Sequence, residues 1–174
     1  MKRQVVVVPY DPDWPVIFEK ERDAILAVAP DAFDSIEHIG STSVPGLAAK
    51  PIIDMLGRLT SFERIENATP AIEAIGYEAL GELGLAGRRY FRKRNPDGTH
   101  TRHLHTWVSG HESVHRHLAY RDYLRAHPEV AREYGELKAG LADAHPDDIE
   151  AYMDGKDAFV KEVERRALEW SRRG

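Results

Sequence analysis

The chain has 174 residues, 42% hydrophobic and 30% charged, which suits one globular domain with a full core. Its formal net charge of −5 argues against a general nucleic-acid-binding surface, and the absence of cysteine excludes disulfides, thiolate zinc sites and cysteine nucleophiles. No apolar run approaches membrane-spanning length, and the four valines near the start are too few for a secretory signal, so we expect a cytoplasmic protein without a membrane partner.

The first forty residues predict strand, helix and strand. The β-branched run Val5 to Val8 favours an edge or flanking strand. Apolar residues recur on one face after Pro15, which predicts a helix that begins there and ends before Pro30. Apolar residues alternate from Ile36 to Ile39, which predicts a short strand.

The stretch from His38 to Met55 carries the main chemical signal. Gly40 and three hydroxyl residues, Ser41, Thr42 and Ser43, follow the strand and break it. Such a turn leaves backbone N–H groups unpaired, and phosphate is their usual anion. The next predicted strand, 51–56, is apolar except for Asp54, whose buried charge needs a positive partner. The alternative is a plain turn with Asp54 capping a neighbouring loop.

The remaining elements alternate helices with a hairpin. Residues 61–74 favour a helix that Pro70 divides or kinks. Residues 88–94 and 101–108 favour two antiparallel strands, because Asn-Pro-Asp-Gly at 95–98 is a strong turn signal. After residue 112 the spacing of apolar residues predicts three helices, at 113–125, from Pro128 and from Pro146.

Two groups of polar residues lie on the hairpin strands. Arg89, Arg92 and Lys93 belong to a run of cations suited to phosphate, although a solvated hairpin explains them equally simply. His103 and His105 share one face of their strand, so they can bind one metal together, or one can bind it while the other donates to a phosphate; the alternative is a pair of hydrogen-bonded, partly buried histidines. The other histidines from His100 onward are expected on the surface.

The stretch HIGSTSVPGLAAKPIID, at 38–54, resembles the signature of the GrpB family, which belongs to the nucleotidyltransferase fold superfamily. Further similarities cover nearly the whole chain: PYDPDWP at 9–15, RYFRK at 89–93, HLH at 103–105, RDYLR at 121–125, and Tyr152 with Gly155 and Lys156. Some relatives are fused to dephospho-coenzyme A kinase, which hints at nucleotide metabolism.

This resemblance implies an α/β (α+β) fold, a nucleotidyltransferase-like mixed β-sheet flanked by helices. We expect one domain over 1–174, with the α/β core at about 1–110 and a helical C-terminal part at about 111–174. In this superfamily the helical part often closes over the nucleotide, so Lys156 is expected to reach a phosphate. Arg121 is assigned to the ligand too, although a salt bridge to Asp122 or another acid explains it equally well.

The sequence departs from the superfamily at one important position. Active members usually carry two carboxylates two residues apart on one strand, to hold two metals, but Leu56 stands where the second is expected. Glu37 is a poor substitute because alternation turns it away from His38. The site is therefore expected to use one metal, held by Asp54 and histidine, or none.

The sequence thus predicts a nucleotidyltransferase-like protein that binds a nucleotide or other phosphorylated small molecule. The activity that this suggests is metal-dependent nucleotidyl transfer. The alternative is a non-catalytic nucleotide-binding or accessory module on the same fold. A third hypothesis is a metal-dependent phosphohydrolase that uses Asp54, His103 and His105. The predicted catalytic residues are Asp54 and His105, and a divalent metal, Mg²⁺ or another, is assigned to Asp54, His103 and His105. The predicted ligand residues are Gly40, Ser41, Thr42, Ser43, Lys50, Arg89, Arg92, Lys93, Arg121 and Lys156. The oligomeric state stays open.

The Gly40 turn gives a first testable prediction. A bulky side chain at Gly40 is expected to block an anion from the turn, so Gly40→Val is expected to abolish stabilisation by a phosphorylated ligand while the protein still folds. Thermal shift with nucleotides measures this, with circular dichroism as the test of folding. A folded variant with an unchanged ligand response would refute an anion site at this turn.

Overall fold

The computed structural model describes residues 4–174 of the chain. The strands are β1 (Phe33–Ile39), β2 (Ile53–Leu59), β3 (Tyr77–Ala79), β4 (Arg89–Arg94) and β5 (His100–Val108). The helices are α1 (Trp14–Val28), α2 (Phe62–Ala74), α3 (Glu112–Ala126), α4 (Pro128–Ala144) and α5 (Ile149–Ser171), and Ser41–Ser43 forms a 3-10 turn. Among residues 4–174, no helix has both the length and the apolar character that crossing a membrane requires.

The five strands form one mixed sheet in the order β1-β2-β5-β4-β3. β2 and β5 pair in parallel at the centre, and the other neighbours are antiparallel. The predicted hairpin of β4 and β5 is confirmed, and β1 pairs with β2. The parallel central pair is the feature that later places the candidate site residues side by side.

Helices α1 and α2 cover one face of the sheet. Ile25 of α1 and Ile65 and Ile72 of α2 are fully buried against Met55 and Leu104 from the two central strands. The helical spacing of these apolar residues creates the stripe that packs on the sheet, and burial of such side chains is worth about 1.5–3 kcal/mol each.

Helix α3 packs on the opposite face, and α4 and α5 pack against it. Leu56 and Trp107 of the sheet are buried against Val114 of α3. Helices α4 and α5 approach closely at Gly155, where a Cβ atom would lie 2.4 Å from Leu141 Cδ2. The small residue therefore lets α5 lie against α4, next to the turn after β1.

Pro70 does not divide α2 into two helices, which was one of the two outcomes that the sequence predicted. The helix is continuous from Phe62 to Ala74, and its N-cap is Ser61, whose hydroxyl accepts a hydrogen bond from the Arg64 amide at 3.2 Å. Near the proline, the Thr69 hydroxyl donates to the Ile65 carbonyl at 2.8 Å. Packing of the apolar face on the sheet outweighs the lost backbone hydrogen bond.

Three other predicted boundaries were wrong. The segment 5–8 forms no strand, since Val8 makes only one isolated bridge, to Ala49, while Val5 is buried beside α4 and α5. Strand β2 begins at Ile53 and runs to Leu59, because both neighbouring strands pair with it that far. Helix α5 begins at Ile149 rather than at Pro146, because the Asp148 carboxylate caps it.

Gly57 in β2 provides a test of the central packing. A Cβ atom there would lie 2.6 Å from Phe33 Cε1 and 2.9 Å from Thr106 Cγ2, both buried. We expect Gly57→Ala to lower the free energy of unfolding by about 1–3 kcal/mol through overpacking, measured by urea denaturation.

The matched control is Gly140→Ala, since Gly140 lies on an exposed part of α4 with nothing within 4 Å of its Cβ position. This substitution is expected to leave stability unchanged or raise it by about 0.5–1 kcal/mol. Equal effects of the two substitutions would contradict the packing described for β2.

Candidate functional site

The turn after β1 brings Gly40 against the carboxylate of Asp54. Ile39 pairs with Asp54 across β1 and β2, and Gly40 then adopts a φ of 73°, a conformation that favours glycine. A Cβ atom at Gly40 would lie 2.8 Å from Asp54 Oδ2. Glycine therefore serves two purposes here: it turns the chain, and it leaves space for the carboxylate.

Hydrogen bonds anchor the 3-10 turn at both ends. Thr42 is buried, and its hydroxyl lies 2.8 Å from Nε2 of His38 and donates weakly to the Ile52 carbonyl at 3.4 Å. The Ser43 hydroxyl donates back to the Gly40 carbonyl. The Thr42 and Ser43 hydroxyls thus stabilise the turn, while the Ser41 hydroxyl faces the helical part of the chain.

The parallel pairing of β2 with β5 places Asp54 opposite His103, and the period of two along β5 places His105 on the same face. Oδ1 of Asp54 lies 3.3 Å from His103 Nδ1 and 3.4 Å from His105 Nε2. The structure thus brings together the three residues to which the sequence assigned a metal, and one potential ligand atom from each lies within 4.8 Å of the others. Leu56, in place of a second carboxylate, is fully buried.

The two histidines determine the charge state of Asp54. Burial by itself would raise the pKa of the carboxyl group, but the hydrogen bonds from His103 and His105 outweigh it and hold the pKa well below its usual range. Asp54 is therefore an anion at neutral pH, with about 30% of its side chain exposed to the cleft.

Three lysines face this carboxylate from other elements. Lys50 precedes β2, Lys138 lies on α4 and Lys156 lies on α5. Lys50 Nζ and Lys156 Nζ lie 5.3 and 5.4 Å from the centre of the Tyr152 ring, so this aromatic side chain attracts both cations.

Lys138 is the most buried of the three lysines. It is 2% exposed, donates to the Ser41 hydroxyl at 2.7 Å, and lies 4.4 Å from the centre of the Tyr134 ring. Burial, followed by the charges of Lys156 and Lys50, lowers the pKa of Lys138 to about 7, with Asp54 opposing the shift. An anion in the cleft would therefore stabilise the charged form of Lys138.

These residues line one cleft of about 390 Å³ between the sheet and helices α4 and α5. Its lining includes seven of the residues predicted from the sequence: Ser41, Thr42, Lys50, Asp54, His103, His105 and Lys156. One wall of the cleft carries the Asp54 carboxylate and two imidazole rings, and the other carries the three lysines. The arrangement can hold a small molecule that carries both a metal-binding and an anionic part.

The GrpB family model matches residues 4–166 of the chain. The chain is also 44% identical over 171 residues to the UPF0157 protein YqkA of Bacillus subtilis, a match that covers 98% of this chain and 49% of that protein. The chain belongs to the GrpB family. It spans about half the length of the Bacillus relative. A dephospho-CoA kinase of Mycolicibacterium paratuberculosis is 25% identical over 190 residues, with 96% of this chain and 47% of the kinase covered.

Solved structures agree with the GrpB assignment. The crystal structure of the conserved protein GrpB from Enterococcus faecalis matches with a TM-score of 0.90 and 46% identity, covering 95% of this chain and 99% of that chain. A Cid1 poly(U) polymerase with Mg 3'-dATP bound matches with a TM-score of 0.54 and 13% identity, covering 78% of this chain and 44% of that chain. The second likeness shows a shared fold, of the nucleotidyltransferase type.

Three predicted ligand residues on β4 do not line the Asp54 cleft. Arg89 pairs with Glu66 of α2, and Arg92 pairs with Glu78 of β3 at 2.7 Å. Lys93 pairs with Glu21 of α1 at 2.8 Å. Arg89 and Lys93 point to the sheet face that α1 and α2 cover, whereas Arg92 shares the face of its partner His103 but is held by Glu78 of β3 and does not line the cleft.

Arg121 is also turned away from the cleft. It forms ion pairs with Asp122 at 2.8 Å and with Glu37 of β1 at 3.2 Å, and it donates to the His38 carbonyl. The salt bridge with Asp122 is one of the alternatives that the sequence left open. A neighbouring arginine, Arg125, donates to the Ser43 carbonyl at 2.9 Å and so supports the turn from behind.

Sequence reasoning missed three buried residues at or near the cleft. Lys138 follows Tyr134 by four positions and precedes Leu141 by three, so a lysine on the apolar stripe of α4 was an available signal. His117 was expected on the surface, but it packs against His105 and Trp107, and burial lowers its pKa to about 3. Arg88 is buried beside His105.

The environment of Lys138 predicts a pH dependence of stability. Its pKa is about 7 in the folded chain against 10.5 for a free side chain, so between these values the unfolded chain binds more protons. The free energy of unfolding should therefore rise with pH over this window relative to Lys138→Met, by up to about 1.4 kcal/mol per pH unit.

Urea denaturation of both proteins from pH 6.5 to 10 measures this difference. Lys20→Met is the control, because Lys20 is exposed on α1 and its removal should leave the pH profile unchanged. Parallel profiles for the wild type and Lys138→Met would contradict the buried, cation-flanked environment of Lys138.

Proposed function

We propose that the chain binds a nucleotide or another phosphorylated small molecule in the Asp54 cleft. The observation that carries the proposal is the opposition of Lys50, Lys138 and Lys156 to Asp54 across one enclosed space. Within residues 4–174, no described ion pair joins the buried Lys138 or the partly buried Lys156 to a carboxylate, so a phosphate would supply the close counter-charge that these two lysines lack.

A divalent cation fits the other wall of the cleft. Asp54 would supply an anionic oxygen, and the neighbouring histidines are available as nitrogen donors. This donor set suits metals that accept imidazole, such as Zn²⁺, Mn²⁺ or Fe²⁺, better than Mg²⁺, which prefers oxygen ligands. Such a cation, when bound, would neutralise phosphate charge and polarise a phosphoryl oxygen.

The chain's own residues would orient the ligand. The lysines would contact phosphate oxygens from α4, α5 and the segment before β2, and the Ser41 hydroxyl would be positioned by its hydrogen bond with Lys138. Nucleotidyl transfer is the reaction class that a phosphate site beside a carboxylate would serve on this fold. The match to a dephospho-CoA kinase, which covers 47% of that protein, makes coenzyme A precursors reasonable candidates for the ligand.

Leu56 favours a second candidate, a non-catalytic binding module. A two-metal transfer needs a second acidic ligand on β2, and leucine at that position is fully buried and cannot bind a metal. The two candidates share the binding site and differ only in whether a bound nucleotide is cleaved.

Lys156 provides the test of binding. Calorimetry with ATP, UTP, dephospho-coenzyme A and pyrophosphate, each with and without Mn²⁺ or Zn²⁺, should find a ligand whose affinity Lys156→Met lowers about tenfold or more, as expected for a lost charge-assisted contact. The matched control is Lys161→Met on the same helix, since Lys161 is exposed and paired with Asp157. Equal affinities in both variants would contradict the proposal.

Release of pyrophosphate from a labelled nucleoside triphosphate separates the two candidates. If the chain is a nucleotidyltransferase, release should occur in the wild type with an acceptor present and should be lost in Asp54→Asn. Ligand binding without release across a panel of acceptors would instead support the binding module.

A further inference from the structure

The two histidines beside Asp54 have different partners at their second ring nitrogens. His105 lies between two charged groups: its Nε2 is 3.4 Å from Asp54 Oδ1, and its Nδ1 is 3.4 Å from Nη1 of Arg88. A carboxylate only accepts hydrogen bonds and a guanidinium only donates them. The imidazole therefore has to carry its proton on Nε2 and present a lone pair at Nδ1 to Arg88.

Arg88 is held so that it cannot turn away from His105. The side chain is 7% exposed, its Nε donates to the Glu82 carbonyl at 3.0 Å, and its Nη2 donates to the Leu83 carbonyl at 2.8 Å. The guanidinium also lies 4.8 Å from the centre of the Tyr90 ring. Two backbone carbonyls and an aromatic face thus fix the direction in which Nη1 points.

His103 faces a more adaptable neighbour. Its Nδ1 lies 3.3 Å from Asp54, and its Nε2 lies 3.1 Å from Nδ1 of His100. A histidine ring nitrogen can donate or accept, so His103 can move its proton from Nδ1 to Nε2 and still keep a hydrogen bond to His100.

This difference matters for metal binding. A histidine that binds a metal needs a lone pair on the coordinating nitrogen, and it usually donates the N–H of its other nitrogen to an acceptor. His103 meets this condition with His100 as the acceptor. For His105, coordination through Nε2 would move the proton to Nδ1, against the donor-only group of Arg88.

We propose that Arg88 is a positioning residue that fixes His105 as an Nε2–H donor at the cleft, so that Asp54 and His103 hold the divalent cation while His105 donates a hydrogen bond to a phosphate oxygen. The proposal rests on the proposed function and assigns different roles to the two histidines within it. It predicts that removal of Arg88 frees His105 to exchange its tautomer.

The first experiment is a long-range ¹H–¹⁵N correlation spectrum of protein labelled at histidine, with the His105 signals identified from their loss in His105→Ala. In the metal-free wild type, His105 should show a protonated Nε2 and an unprotonated Nδ1, and it should keep that pattern when Zn²⁺ is added. The nitrogens of His103 should shift. Arg88→Met should mix the two tautomers of His105, whereas Arg92→Met, a control on strand β4, which Arg88 directly precedes, should not.

The second experiment needs no change at Arg88 and so remains decisive if Arg88→Met fails to fold. Calorimetry with Zn²⁺ alone should show an affinity lowered about tenfold or more by His103→Ala but by less than about threefold by His105→Ala, because only the first is a ligand. Equal losses, or deprotonation of His105 Nε2 by zinc, would overturn the proposal.

Failure of the proposed function would look different. If the wild type bound no zinc, or bound phosphorylated ligands equally well without Lys156, the cleft would not be the site proposed above. If zinc and ligand bound as expected but metal-free His105 carried its proton on Nδ1, the role assigned to Arg88 would be wrong while the function stood.

Discussion

The parallel pairing of β2 with β5 is the constraint on which the rest of the site depends. It places Asp54 directly opposite His103 and, through the period of two, beside His105. A shift of one residue in this register would turn both histidines to the face covered by α1 and α2, where Leu104 is now fully buried. A shifted register would also expose the apolar residues that are now buried on that face, so their burial stabilises the observed register. One strand pair therefore specifies both the hydrophobic core and the candidate site.

The charges of the cleft are divided between two parts of the chain. Asp54 belongs to the sheet, while Lys138 and Lys156 belong to helices that pack on it from the far end of the sequence. The lysines are destabilised by burial and by one another, and Asp54 offsets only part of this cost. Stability is thus lowered locally at the place where an anion would be bound, which is common in sites that recognise charged ligands.

The sequence predicted the sheet part of the site better than the helical part. Asp54, His103 and His105 could be grouped because alternation along two strands determines a face. Lys138 could not be placed, because its position depends on how α4 docks, and helix docking depends on side-chain packing far apart in the sequence. The cations of β4 were recognised from the sequence. Their acidic partners Glu21 and Glu66 lie on helices distant in sequence, so these ion pairs could not be predicted. The divided helix at Pro70 and the strand at 5–8 were predicted from local conformational preference, which tertiary packing outweighs.

One carboxylate and neutral imidazoles compensate less positive charge than the two carboxylates of a two-metal site, so this site suits one divalent cation rather than two. Phosphate groups would still need counter-charges, and in this cleft the lysines of α4 and α5 take the place that a second cation would fill. A lysine differs from a metal ion in that it cannot bridge two oxygens as a Lewis acid; it neutralises charge and orients. On the proposed assignment, the site would be better equipped to bind and position a phosphorylated ligand than to activate two oxygens at once, and any transfer reaction would depend on Asp54, a single cation beside it and the proton that we assign to His105.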